Sequence, residues 1–75
     1  MIYYTVHAKE RMIFRGITEE MLKNALFKLD KIGVGHHNRS LVFKKFNKGI
    51  VKVVFVKKNS SIVIISVIWA LINNN

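Results

Sequence analysis

The sequence predicts an α+β domain in which two N-terminal helices pack on an antiparallel sheet of three to four strands. The hydrophobic period is helical as far as Leu29 and strand-like from Arg39 onward. Helix-capping residues bracket the first helical segment and open the second. The 75 residues, 51% of them apolar and none proline, suffice for one hydrophobic core and not for two. A single domain over residues 1–72 follows, with the asparagines at 73–75 expected to form a disordered tail.

Thr5 stands where a side-chain oxygen caps a helix, and Gly16 where a left-handed residue ends one, so a first helix is predicted over residues 6–15. Thr18 opens a second, over residues 19–29. Glu19 and Glu20 suit its positive end, and Met21, Leu22, Ala25, Leu26 and Leu29 recur at helical spacing. Gly33 and Gly35 break the pattern, and residues 32–36 offer a short extra strand. Residues 39–46, 50–56 and 61–70 are rich in β-branched and aromatic side chains. Asn47, Lys48 and Gly49 separate the first two, and residues 57–60 separate the last two, as hairpin turns. The final segment is apolar on both alternations, which marks a central strand or one covered on both faces.

Charge gives the first functional indication. Thirteen Lys and Arg oppose four Asp and Glu, leaving a formal +9 and a pI near 10.3. Such a field draws polyanions, and in a domain this small nucleic acid is the expected partner. A solvated basic surface, an anionic membrane or an acidic protein are the alternatives. There is no cysteine, so disulfides, thiolate zinc sites and a thiol nucleophile are excluded. A reducing, cytoplasmic setting fits that composition. The N-terminus lacks the pattern of a secretory signal, and residues 62–72, interrupted by Ser66, fall short of the ~20 apolar residues that span a membrane. Membrane association is therefore not expected.

His7, Arg11 and Arg15 recur at intervals of four and line one stripe of the first helix, with Lys9 nearby. Like charges at that spacing do not stabilise a helix by themselves. A phosphate would, because arginine presents a planar fork of donors and histidine can exchange a proton near neutral pH. The competing reading pairs Arg11 and Arg15 with Glu10, Glu19, Glu20 or Asp30 and leaves His7 as a packing or capping residue. Spacing alone does not decide between them. His36, His37, Asn38 and Arg39 form a second cluster at the entrance to a strand. Neighbouring strand residues point to opposite faces and few further ligands exist, so no metal is expected and no cofactor is implied. Arg39, with His36 or His37, would instead meet the first-helix stripe across a phosphate-binding cleft. Lys52 is a third candidate, or simply an outward residue on the exposed sheet face.

No phosphate-binding glycine loop and no nucleophile elbow occur. Four carboxylates, three of them at helix-end or helix-surface positions, make a two-metal nuclease or a paired-carboxylate hydrolase a poor fit. Metal-free acid–base chemistry on RNA remains, because the 2′-hydroxyl is an internal nucleophile.

The run His7, Ala8, Arg11, Met12, Arg15, Gly16, Ile17, Thr18 and Glu20 resembles the N-terminal signature of a small microbial domain-of-unknown-function family, number forty-two fifty-eight. Ile64, Ile65, Ser66 and Val67 resemble its closing strand. The order of elements is also similar to that of BrnT and RelE/ParE-like toxins. The likeness in element order spans most of the chain, while the distinctive motif covers about its first quarter. It implies a RelE-like, microbial-RNase-like fold of helices on a curved antiparallel sheet, with His7, Arg11 and Arg15 as the family-like residues and Arg39 as a weaker match. The end of the chain departs from it: Trp69, Ala70, Leu71 and Ile72 stand where many RelE-like toxins carry a basic residue or tyrosine. What the resemblance implies is a toxin-like RNA-binding protein acting as a metal-independent endoribonuclease of a toxin–antitoxin pair. In that reading His7 is the acid or base, Arg11, Arg15 and Arg39 bind phosphate, and His36, His37 and Lys52 are secondary. The charge makes RNA the expected partner and would match an acidic antitoxin, while so small a core with apolar strands makes a homodimer plausible. A non-catalytic nucleic-acid-binding domain and a basic protein-interaction module are the alternatives.

Overall fold

The computed structural model describes residues 1–70; the expected tail at 73–75 and the end of the expected domain lie outside the described residues. Within them the chain forms two helices and five strands: β1 (Ile2–Tyr4), α1 (Val6–Arg15), α2 (Glu19–Phe27), β2 (Lys31–Val34), β3 (Ser40–Phe46), β4 (Gly49–Lys58) and β5 (Ser61–Ala70). The α+β class and the two helices on one sheet face are as the sequence predicts.

Two features of the sheet differ from expectation. It holds five strands rather than three or four, in the order β1-β5-β4-β3-β2, and it is mixed rather than antiparallel because β1 runs parallel to β5. The first strand is only three residues long, too short to show a period, and its partner lies at the far end of the described chain. The short strand anticipated near residues 32–36 forms as Lys31–Val34 at the opposite edge.

Local signals account for the helices. The Thr5 hydroxyl accepts from the Ala8 amide at 3.0 Å, and Gly16 takes a left-handed φ of 68° that lets its own amide and that of Ile17 close on the last carbonyls of α1. Thr18 caps α2 in the same way, accepting from Met21 N at 3.1 Å. That helix stops at Phe27, two residues earlier than its apolar spacing suggests, because Lys28 leaves helical geometry at φ −130°.

Both hairpins turn over two residues. Phe46 pairs with Gly49 around Asn47 and Lys48, and Lys58 pairs with Ser61 around Asn59 and Ser60, Asn59 supplying a positive φ. A register shift opposite Val54 and Phe55 leaves Ile65 as the extra residue of a β-bulge. The bulge explains why β5 reads as apolar on both alternations. Ile64 before it and Val67 after it differ in parity, yet both are fully buried against the helices.

The core joins Ala8 and Met12 of α1, Ile17, and Leu22, Ala25 and Leu26 of α2 to Val42, Val51, Val53, Phe55, Ile64 and Val67 of the sheet. Burying each large aliphatic side chain there contributes roughly 1.5–3 kcal/mol. By alternation, Leu41, Phe43, Val54, Val56 and Ile68 turn to the other face, where they are half-buried and no described element covers them.

Candidate functional site

The ends of β1 and β5 determine what α1 presents. Strand β1 pairs with β5 only from Ile62 to Ile64, so beyond that point the outer edge of β5 has no strand beside it. Helix α1 takes over along this edge. The Thr5 hydroxyl donates to Ile65 O at 3.5 Å and Arg15 Nη1 donates to Val67 O at 2.8 Å, while Trp69 Nε1 returns a hydrogen bond to Arg15 O at 2.8 Å. Arg15 is thereby clamped to the sheet through its side chain and its main chain.

This divides the predicted stripe. Arg11 Nε donates to His7 Nε2 at 3.4 Å, so those two stay together at the surface while Arg15 is engaged with β5. Among the described residues the ion pair formed is Lys44 with Asp30, at 3.7 Å, and no carboxylate lies within ion-pairing distance of Arg11 or Arg15. Asp30 also accepts from Lys45 N at 2.8 Å, which ties it to β3 and away from α1. The reading in which carboxylates neutralise the arginines is thus not what the fold adopts.

His7, Glu10, Arg11 and Phe14 line a shallow hollow of about 290 Å³. Phe14 is 84% exposed, although a phenyl ring that size usually contributes to a core. Its place was readable in the sequence, three residues beyond Arg11 and seven beyond His7, off the Ala8 and Met12 stripe that α1 buries. Lys9 is exposed too, but belongs with Tyr4, Met12 and Glu19 to the rim of a separate hollow between the helices.

The other predicted residues lie elsewhere. His36, His37 and Asn38 form a 3₁₀ turn between β2 and β3, with His37 and Asn38 in left-handed geometry. The turn is closed by Gly35 N donating to Arg39 O at 2.8 Å and Arg39 N to His36 O at 3.2 Å. The rung Tyr4, Ile64, Phe55, Ser40 runs across the sheet, so this turn and the start of α1 share one end of it. Two to three strand spacings separate them, on the order of 10–15 Å. The hollow that His7 and Arg11 line includes neither Arg39 nor the residues of the turn. Lys52 stands opposite Phe43 and Ile68 on the face away from the helices, remote from both clusters.

Tyr4 has a displaced ionisation. Its hydroxyl is out of solvent and without a hydrogen-bond partner among the described residues; burial, with a smaller contribution from the Glu19 carboxylate, raises its pKa above 10.0. No three His, Asp or Glu side chains come together as metal ligands among the described residues, and no described helix is long and apolar enough to cross a membrane. Compared with protein-family models, with curated proteins and with solved structures, the chain matches none.

Proposed function

We propose that this protein is a toxin-like RNA-binding protein whose outer α1 face grips single-stranded RNA. The observation that carries the reading is the His7–Arg11 pair held beside an exposed Phe14, with no carboxylate neutralising the arginine. A phosphate neutralises Arg11, a base stacks on Phe14, and the net charge of +9 brings the strand in. Arg39 and the histidines of the neighbouring turn lie at the same end of the sheet, where they meet the strand some nucleotides away.

The same hollow supports half of a metal-independent cleavage. Once Arg11 turns from His7 to the non-bridging phosphate oxygens, the freed His7 Nε2 takes the proton of a 2′-hydroxyl, whose oxygen attacks the adjacent phosphorus. The 5′-oxygen then leaves as the cyclic phosphate closes, taking its proton from solvent. Besides His7, Arg11 and Phe14 only the exposed Glu10 lines the hollow, so no second imidazole, lysine or tyrosine stands ready there to protonate the leaving oxygen. That favours a second reading, a binding domain that does not cleave. An acidic antitoxin suits the same basic surface, and an mRNA or ribosomal target places the activity in the cytoplasm.

Fluorescence anisotropy with short single-stranded RNA tests the reading. Arg11→Ala and Phe14→Ala are expected to weaken binding, the latter about 5- to 150-fold if one base stacks with ~1–3 kcal/mol. Affinity should fall steeply with salt. RNA binding untouched by both substitutions would overturn the proposal. Cleavage abolished by His7→Ala in a folded protein selects the endoribonuclease; binding without cleavage selects the second reading.

A further inference from the structure

We infer that the protein self-associates through β2, two copies pairing antiparallel about Gly33 so that their sheets run on into one. Strand β2 is the last of the sheet, and no described strand covers its outer edge. The direction of its free groups follows from the ladder. Gly35 N donates to Arg39 O, so Gly35, and by alternation Gly33 and Lys31, turn their backbone groups inward to β3. Ile32 and Val34 turn theirs outward. A partner strand must offer outward groups in return, and only even-numbered residues do so. Centring the pair on Gly33 sets Ile32 opposite Val34 of the second copy, and Val34 opposite its Ile32. Both free pairs are then used, giving four inter-subunit hydrogen bonds; centring on Ile32 or Val34 uses fewer.

The side chains agree with that register. Ile32 lies opposite the buried Val42, so Ile32 and Val34 project to the helix side of the sheet, where they are 66% and 86% exposed. Phe27, 69% exposed at the end of α2, is a further uncovered apolar residue of this half of the molecule. Exposed apolar side chains on an unpaired edge are what soluble proteins ordinarily guard against with charge, proline or a bulge. In the centred register they bury one another. Gly33 meets its own copy in the closely spaced, non-hydrogen-bonded position, and Lys31 faces Gly35 rather than another lysine, so no like charges meet directly. An edge of four residues gives an interface at the low end of specific contacts, below about 1,200 Å², and hence association with a Kd of roughly 1–100 µM. Both copies carry +9, so added salt should strengthen the dimer while it weakens RNA binding.

Sedimentation velocity on nuclease-treated protein across that concentration range, at low and high salt, tests the inference. The expected result is a reversible species of twice the 8.7 kDa protomer mass, weakened at least tenfold by Val34→Lys and unchanged by Val6→Lys, a similarly exposed control on α1. Both positions are on the surface, so both variants should fold. A wild-type protein that stays monomeric overturns the proposal, as does a dimer that survives Val34→Lys or is lost equally with Val6→Lys. A dimer broken by Ile68→Lys but not by Val34→Lys assigns the contact to the open sheet face, and the proposal fails.

Discussion

Replacing Arg15 with methionine separates the two roles that the spacing of α1 assigns to one residue. Methionine keeps an unbranched stem against β5, so the packing largely survives, and the Trp69 bond to Arg15 O is to the main chain and persists. What is lost is the guanidinium donor at 2.8 Å from Val67 O, on a strand edge with no neighbouring strand to take its place. A hydrogen bond from a charged donor contributes about 1.5–3 kcal/mol net, and partial solvation of Arg15 favours the lower part of that range, near 2 kcal/mol. For a domain of this size each kcal/mol moves Tm by roughly 4–8 °C, so Arg15→Met should melt about 8–16 °C below wild type. The urea midpoint should fall with an unchanged slope, since the folded surface is the same. Arg11→Ala is the companion variant, expected to hold stability within about 0.5 kcal/mol and to lose RNA affinity. If Arg15→Met unfolds with wild-type parameters and loses RNA affinity as Arg11→Ala does, Arg15 is a phosphate ligand and the clamp described above is wrong.

Leu22→Ala should cost about 3 kcal/mol in chemical denaturation, because Leu22 is fully buried between α2 and the sheet; a loss under 1 kcal/mol would mean the core is looser than described. Gly16→Ala should cost about 1 kcal/mol through its φ of 68° alone, as the space a Cβ would enter is open; an unchanged melting temperature would contradict that cap geometry. Tyr4→Phe removes a buried hydroxyl without a partner and should leave the protein as stable or slightly more so near neutral pH. The raised Tyr4 pKa means that above pH 10.0 the folded state holds a proton the unfolded state has released. Wild type should therefore gain a stabilising increment towards lower pH that is complete below 10.0 and disappears as pH rises through the folded pKa; Tyr4→Phe should lack it. Stability curves of the two that stay parallel up to strongly alkaline pH would refute the assignment.

Features governed by near neighbours were legible in the sequence, and those governed by distant ones were not. Thr5, Gly16 and Thr18 mark helix ends because their partners lie within four residues, and the two hairpins follow for the same reason. Three residues cannot display a period, so β1 was invisible; it exists because β5 offers an edge some 60 residues away. The bulge at Ile65 was equally hidden, and left only its trace, an apolar β5 on both alternations. At the candidate site, helical spacing correctly set His7 beside Arg11. It could not distinguish Arg15, whose fate depends on a carbonyl left bare where β1 stops. The spacing of Phe14 off the Ala8 and Met12 stripe already sets it beside Arg11, but an aromatic residue in a helix is ordinarily core, so it is the exposure of Phe14 that marks it as part of the site.

The side-chain hydrogen bonds that hold α1 and its cap to the sheet reach into β5, across 52 to 60 residues of chain. Closing a loop that long costs ~3.5 kcal/mol of chain entropy beyond a constant, whereas β3, β4 and β5 join through two-residue turns. The hairpins should accordingly form first and α1 dock onto them late, as a lid on a finished sheet. A nascent chain in which β5 is not yet free would hold His7, Arg11 and Phe14 on an unanchored peptide. If those residues grip RNA, the capacity to do so arrives only after β5 has emerged.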